Sequence, residues 1–282
     1  MKKILLIMLF ILMLCGCENR EEMNKGAVEN SSVSTSTQET SEVKEETKKQ
    51  TDFVNAPTKS YGWGFVRKKG SPPQITIEEQ ERLAKYEAYY LGKTSEKNIY
   101  LTFDEGYENG YTAKILDTLK ELDVKAAFFV TMPYLEGQQE LVKRMIDEGH
   151  IVGNHTVHHP NLSECSIDEI RQELDILNSK SVELYGYQMK YMRPPEGAYS
   201  ERVLALATDM GYKTIFWSHA YKDWDVNVQK GRDYALNQVI PYLHNGEILL
   251  LHAVSKDNAD ALEEIILKAR ENGFSFKSLD EL

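Results

Sequence analysis

Ile99-Tyr100-Leu101-Thr102-Phe103-Asp104-Glu105-Gly106 is the stretch on which the fold turns. Ile99, Leu101 and Phe103 alternate with Tyr100 and Thr102, the two-residue period of a mostly buried strand. The run stops at two adjacent carboxylates and a glycine. Two anions at the end of a buried strand repel each other and are costly to desolvate. They call for a cation, a metal ion or a shared proton; a solvated turn is the blander alternative. Four later strand-like runs also end in reactive groups, which weighs against a plain turn.

Outward from this strand the chain alternates. Strands are expected at 99–103, 126–131, 150–153, 190–193, 212–217, 247–252 and 274–276. Helical periodicity fills the gaps: 113–122, with Ile115, Leu116, Leu119 and Leu122 on one face, then 138–148, with Leu141, Val142, Met145 and Ile146. Ser166 and Glu169 match a capping box before a long helix that ends near Gly186. Further helices are expected at 201–210, at 232–244 with a kink at Pro241, and at 257–271. Upstream, Thr76 with Glu79 starts a helix running to about Tyr90. The expected fold class is α/β, a distorted (β/α)7-type barrel of mainly parallel strands with helices outside. In such barrels the working residues sit at the carboxyl ends of strands. Asp104, Glu105, His155, Arg193, Asp223, Trp224 and His252 all fall at or just after such ends.

The first residues read as a targeting signal. Met1-Lys2-Lys3 is basic and Ile4 to Leu14 is apolar, too short a run to span a bilayer comfortably. Leu14-Cys15-Gly16-Cys17 resembles a bacterial lipobox, with Cys15 an unusual residue at its place. Cleavage would leave Cys17 lipidated and the protein anchored to the outer face of the membrane; without processing it would be secreted. Cys165 is then the one thiol left, so no intramolecular disulfide is expected. Residues 18 to about 55 are Ser-, Thr-, Glu- and Lys-rich with few large apolar groups, as in a disordered tether. The expected organisation is a signal peptide over 1–17, a linker over 18–58, an N-terminal extension packed on the barrel over 59–94, and the barrel domain over 95–282. A formal net charge of -11 argues against a nucleic-acid partner.

The groups that carry chemistry are few. His155 and His159 are four apart, so one helical turn would put both imidazoles on one side, as a metal site needs; a solvated His-His-Pro loop is the alternative. Pro160 ends that turn. Arg193, before Pro194-Pro195-Glu196-Gly197, can hold a nearby carboxylate ionised, or can be a surface arginine before a rigid turn. His252 closes a strongly apolar strand. An aspartate such as Asp223 near it would raise its pKa and fix its tautomer. Trp224 suits a sugar face or an acyl pocket, or ordinary core packing.

Thr102-Phe103-Asp104-Glu105, His155-Thr156-Val157-His158-His159, Arg193-Pro194-Pro195-Glu196-Gly197, Asp223-Trp224 and Leu250-Leu251-His252 stand in this order. Each is weak alone. Together they resemble the five motifs of the polysaccharide deacetylases of carbohydrate esterase family 4, the NodB-homology domain, over about residues 95–282. The run from Tyr86 to Thr112 and the run Leu251-His252-Ala253-Val254-Ser255-Lys256-Asp257-Asn258-Ala259 are similar to the PdaA-type branch, the muramic δ-lactam-forming de-N-acetylases.

The resemblance implies roles. Asp104 would be the general base, steadied by Arg193, and His252 the general acid, tuned by Asp223. His155, His159 and Glu105 would hold a divalent metal ion, zinc first, with cobalt, manganese or magnesium as alternatives. Trp224 and Leu250 would line the acetyl pocket, and the backbone N–H of Glu196 would help stabilise the oxyanion. Two positions depart from the family pattern. Glu105 stands where most members have a metal-ligating Asp, and its extra methylene moves the carboxylate by about 1.5 Å. Glu196 stands where many have tyrosine. The implied activity is removal of acetyl from peptide-free N-acetylmuramic acid in peptidoglycan, leading to muramic δ-lactam. The alternatives are an N-acetylglucosamine deacetylase of peptidoglycan or chitooligosaccharide, and a catalytically silent wall-binding module. The partners implied are peptidoglycan strands and the membrane through Cys17, with no nucleic acid and no obligate protein partner.

Overall fold

In the computed structural model of the chain, the structure describes residues 52–282. The expected signal peptide, its Cys17 anchor and most of the linker lie outside the described residues. Among the described residues no helix is long and apolar enough to cross a membrane.

The elements in chain order are β1 (Tyr61–Gly62), α1 (Ile77–Lys85), β2 (Ala88–Tyr89), β3 (Asn98–Glu105), α2 (Thr112–Glu121), β4 (Ala127–Val130), α3 (Met132–Gly137), α4 (Gln139–Asp147) and β5 (Ile151–Asn154). There follow α5 (Ile167–Tyr185), β6 (Tyr191–Met192), β7 (Ala198–Tyr199), α6 (Glu201–Asp209), β8 (Lys213–Ile215), α7 (Arg232–Val239), β9 (Glu247–His252), α8 (Lys256–Glu271) and β10 (Ser275–Phe276). One sheet runs β2-β8-β6-β5-β4-β3, with β9 and β10 also paired to β3; every ladder in it is parallel. The sheet curls: Leu250 N–H donates to the His219 carbonyl beyond β8, bringing the two ends of the strand order together. The fold is the expected distorted (β/α)7 barrel.

The parity of β3 sorts the core into two layers. Tyr100 belongs to the barrel interior, with Phe129, Ile151, Tyr191, Ile215, Ile248 and Leu279. Ile99, Leu101 and Phe103 belong to the layer between sheet and helices, with Ile115, Leu119, Phe128, Val142, Leu174 and Ile265. Successive strand residues face opposite sides, so Thr102 and Asp104 take the interior side and Glu105 the helix side. The bottom of the interior is closed by the chain end, where the Tyr191 hydroxyl donates to the Leu279 carbonyl and the Asp280 carboxylate.

Local signals set the helix ends. Ser166 and Glu169 form the capping box of α5, and Gly186 ends it in the left-handed region at φ 63°. α7 stops at Val239 instead of kinking through to 244, and a 3-10 turn carries Pro241. Proline removes an intrahelical hydrogen bond and crowds the preceding turn, and here that ends the α-helix. The stretch before β3 also differs from expectation. α1 ends at Lys85, and Ala88–Tyr89 is an edge strand of the main sheet, parallel to β8. The extension therefore contributes to the sheet as well as packing on it.

Gly153 on β5 has no room for a side chain. A Cβ there would lie 2.5 Å from Cδ1 of Phe129, a ring of the barrel interior. Gly153→Ala is expected to cost about 1–3 kcal/mol through forced repacking of that ring. Urea denaturation checks it; an unchanged midpoint would show that the ring shifts freely.

Candidate active site

Strand register assembles the site. On the β3–β9 ladder Asp104 lies opposite His252. On the next ladders Val130 pairs with Asn154, and Asn154 with Met192. His155 and Arg193, one residue further along their strands, therefore reach the same end of the barrel as Asp104. Arg193 is fully buried. It donates from Nη1 to Asp104 Oδ1 at 2.7 Å, from Nη2 to Thr102 Oγ1 at 2.9 Å and to the Phe216 carbonyl at 3.2 Å, and from Nε to the Ile215 carbonyl at 3.0 Å. Its guanidinium lies 4.2 Å from the centre of the Phe129 ring. The planar fork is thereby fixed on every side.

The electrostatics follow. Burial pushes the Asp104 carboxyl up, but Arg193, then His155 and His252, outweigh it and hold the group below its ordinary value. Burial lowers His155 to about 4, so its ring is neutral near pH 7. His155 Nδ1 lies 2.8 Å from the Arg193 carbonyl, which accepts its proton and leaves Nε2 with a lone pair, 3.7 Å from Asp104 Oδ2. Burial pulls His252 down, but Asp223 more than offsets it and the net pKa is raised. Asp223 accepts from His252 Nδ1 at 2.7 Å, from its backbone N–H at 2.8 Å, and from Asn258 Nδ2 at 2.6 Å. Tyr221 in turn donates to Asn258 Oδ1. The site therefore offers an ionised carboxylate and a readily protonated imidazole across one ladder.

These groups open onto a cavity of about 940 Å³. Asp104, His155, His159 and His252 line it, as do Glu196, Trp224 and Leu250. Trp224 is half-exposed, with its ring 5.6 Å from that of His252. Glu196 is exposed with φ 57°, a left-handed conformation in the turn after Arg193. Sequence reasoning missed Tyr107, Thr131, Trp217, Tyr221 and Lys222, which also line the cavity. Tyr107 follows the carboxylates by two residues, and Lys222 adjoins Asp223; neighbourhood was the only signal available for either. Trp217 gave none. It is placed by Trp63 of the extension, whose Nε1–H donates to the Trp217 carbonyl at 2.9 Å. Cys165 is a half-buried free thiol whose Sγ faces the Asn161 carbonyl.

Residues 91–215 match the family model described as Polysaccharide deacetylase. The chain is 48% identical over 228 residues to the peptidoglycan-N-acetylmuramic acid deacetylase PdaA of Bacillus subtilis, covering 80% of this chain and 87% of that one.

The chain belongs to the polysaccharide deacetylase family.

A Bacillus cereus peptidoglycan-N-acetylglucosamine deacetylase is 35% identical over 208 residues, covering 70% of this chain and 72% of that one. The solved structure of B. subtilis PdaA, a family 4 carbohydrate esterase, superposes with a TM-score of 0.78, covering 80% of this chain and 97% of that one. Membership makes the chain a hydrolase of amide bonds.

A divalent metal ion, which the family generally uses, would have to be held by the imidazoles and carboxylates at this end of the barrel. His155 and His159 are brought together, ring centres 4.8 Å apart. A helical turn does not do this: residues 155–160 are non-helical, with Thr156 at φ 72° and His159 at φ 57°. The Asn154 side chain accepts from Thr156 N–H, and Thr156 Oγ1 from His159 N–H, which holds this uncommon backbone. The neutral His155 ring, oriented by a backbone carbonyl, has the chemistry of a metal ligand. Glu105 is not brought into the cavity. It is the last residue of β3, fully buried, and neither carboxylate oxygen has a hydrogen-bond partner. Parity turns it to the helix side, so the expected three-residue set does not form. Among the described residues no group of three or more His, Cys, Asp or Glu is arranged to hold a metal ion. The two imidazoles fit part of a coordination shell; Glu105 does not.

Burial, then the charges of Glu108 and Asp104, push the Glu105 carboxyl well above its ordinary value. The folded state thus binds a proton that the unfolded state has released, and stability falls as pH rises from the ordinary glutamate range through the raised value. Glu105→Met removes the unpartnered acid at similar shape. It is expected to stabilise the protein by roughly 1–3 kcal/mol at pH 8, with the gain shrinking toward pH 5. Urea denaturation at both values checks this; a gain that grows on acidification contradicts it.

Proposed function

We propose that the protein is a metal-dependent de-N-acetylase of peptidoglycan, acting on N-acetylmuramic acid freed of its stem peptide and leading to muramic δ-lactam. The observation that carries the reading is the facing of Asp104 and His252 across one ladder of a single cavity. The muramic preference is supported by 48% identity to a relative named for that substrate.

In this reading Asp104 takes a proton from the water that attacks the acetyl carbonyl. Arg193 keeps Asp104 ionised and aimed. The backbone N–H of Glu196 stabilises the oxyanion, and Trp224 and Leu250 hold the methyl end. His252, made more basic by Asp223, gives its proton to the departing amine as the C–N bond breaks. A divalent ion held by His155 and His159 would supply Lewis-acid activation of water and carbonyl. The freed amine then attacks the lactyl carboxyl on the same sugar, and loss of water closes the lactam. The domain would work from the outer face of the membrane, tethered through Cys17.

The direct experiment is incubation of the protein with peptide-free glycan strands, with and without chelator. Acetate release and products lighter by one water are expected. Asp104→Asn is expected to cut the rate by about 10²–10⁴-fold. Release that ignores both the chelator and Asp104→Asn would overturn the mechanism. The second reading is deacetylation of N-acetylglucosamine, favoured by the relative named for that sugar. Its products keep their water, so mass spectrometry separates the two. The silent module is disfavoured by the convergence of Asp104, His155, His159, Arg193, Asp223 and His252.

The pH profile tests the acid. Activity should fall at low pH as Asp104 protonates and at high pH as His252 loses its proton. Asp223 is what raises His252, so Asp223→Asn is expected to move the alkaline limb to lower pH and leave the acid limb in place. An alkaline limb that stays put would mean that His252 is not the acid.

A further inference from the structure

The proposed substrate carries an anion beside the reacting group. Apart from the proton donor His252 and an ion at His155 and His159, both committed to the acetamide, the cavity lining is poor in cations to meet it. On a muramic acid without its peptide, the acetamide and the lactyl ether sit on adjacent ring carbons. Bringing the acetamide to Asp104 and His252 therefore brings a free carboxylate to the same mouth. The anions already lining that mouth are Asp104 and Glu196, on a chain of net charge -11. Arg193 lies behind Asp104, fully buried and committed to it. Lys222 is the one lysine or arginine among the lining residues.

Lys222 is also held and left available in a useful way. Its neighbours in sequence are both buried: Tyr221 donates to Asn258, and Asp223 accepts from His252 and Asn258. The backbone that carries the lysine is thus locked to the proton donor of the site. Its side chain is about two-thirds exposed, and Nζ stands 3.8 Å from Asp225 Oδ2, a loose pair one turn along the chain. Among the described residues no hydrogen bond ties the ammonium down. A loose surface pair of this kind contributes little, so exchanging it for a substrate carboxylate costs little.

We infer that Lys222 is a specificity-determining residue whose ammonium binds the free lactyl carboxylate, selecting peptide-free muramic acid over sugars that lack that charge. The inference rests on the muramic reading above. It adds a reason why a stem peptide excludes a substrate: amidation removes the charge that Lys222 meets. The contact is between solvent-facing charges, so it weakens with salt.

The test uses the full chain and two peptide-free glycan strands, one with free lactyl carboxyls and one with the same carboxyls capped as methylamides. Wild type, Lys222→Gln and Lys222→Arg are compared by kcat/KM for acetate release. Lys222→Gln is expected to lower the free-to-capped ratio by about tenfold, mainly through KM, with Lys222→Arg keeping most of the ratio. High salt should shrink the wild-type ratio and leave that of Lys222→Gln almost unmoved. Because the readout is a ratio within each protein, partial loss of folded material does not mimic it. A wild-type preference that Lys222→Gln leaves intact overturns this inference alone. A wild type that deacetylates only N-acetylglucosamine polymers overturns the muramic reading and this inference with it.

Discussion

The buried ion pair of Arg193 with Asp104 is the constraint around which the barrel top is built. A guanidinium with no exposure is tolerable only when its charge is met and its donors are filled. Here Asp104, Thr102 and the carbonyls of Ile215 and Phe216 fill them, and the Phe129 ring supports the flat face. Those partners come from β3, β4 and the β8 end, so one side chain ties three parts of the sheet. The same contacts hold Asp104 ionised without a fixed proton. What stabilises the fold and what prepares the base are one arrangement. Removing the arginine would leave a buried carboxylate unmatched, a loss of about 3–5 kcal/mol.

Strand parity divides the two adjacent carboxylates. Asp104 faces the cavity and carries a depressed pKa; Glu105 faces the helices and carries a raised one. Neighbours in sequence thus occupy opposite electrostatic environments, and only one can act on a ligand in the barrel. The repulsion that their adjacency suggests is relieved by opposite protonation preferences, with a cation satisfying only Asp104.

The second support of the cavity is assembled behind it. Glu247 sits at the start of β9 and accepts from the His244 N–H at 2.9 Å, with its other oxygen 2.6 Å from His219 Nδ1. His219 Nε2 lies 3.1 Å from the Gln238 carbonyl, and His244 Nε2 lies 2.8 Å from Ser218 Oγ. Arg67 of the extension reaches the same Gln238 through its side chain and carbonyl. This buried polar set fastens the segment that continues as Ala220, Tyr221 and Lys222 along the cavity wall. With Trp63 holding Trp217, the extension and β9 together place a wall that no single motif encodes.

Periodicity, capping and breakers in the sequence were enough for the barrel class, most strands, the α5 capping box and the strand-end location of Asp104, His155, Arg193 and His252, because each is written in residues close together. The family likeness follows from the order of five short motifs. Tertiary structure alone decided the rest. β3 runs two residues further than periodicity suggested, through both carboxylates to Glu105, and strand parity then turns Glu105 away from the cavity while Asp104 faces it. His155 meets His159 through a left-handed loop held by Asn154 and Thr156, which spacing reads as a helical turn. Trp217 reaches the cavity because Trp63, more than a hundred residues upstream, packs against it. Lys222 does so because Tyr221 and Asp223 on either side of it bond to Asn258 of α8 and His252 of β9. Local pattern determines which elements form; which side chains share a solvent-excluded space depends on where those elements end and how they register, and only the packed sheet sets that.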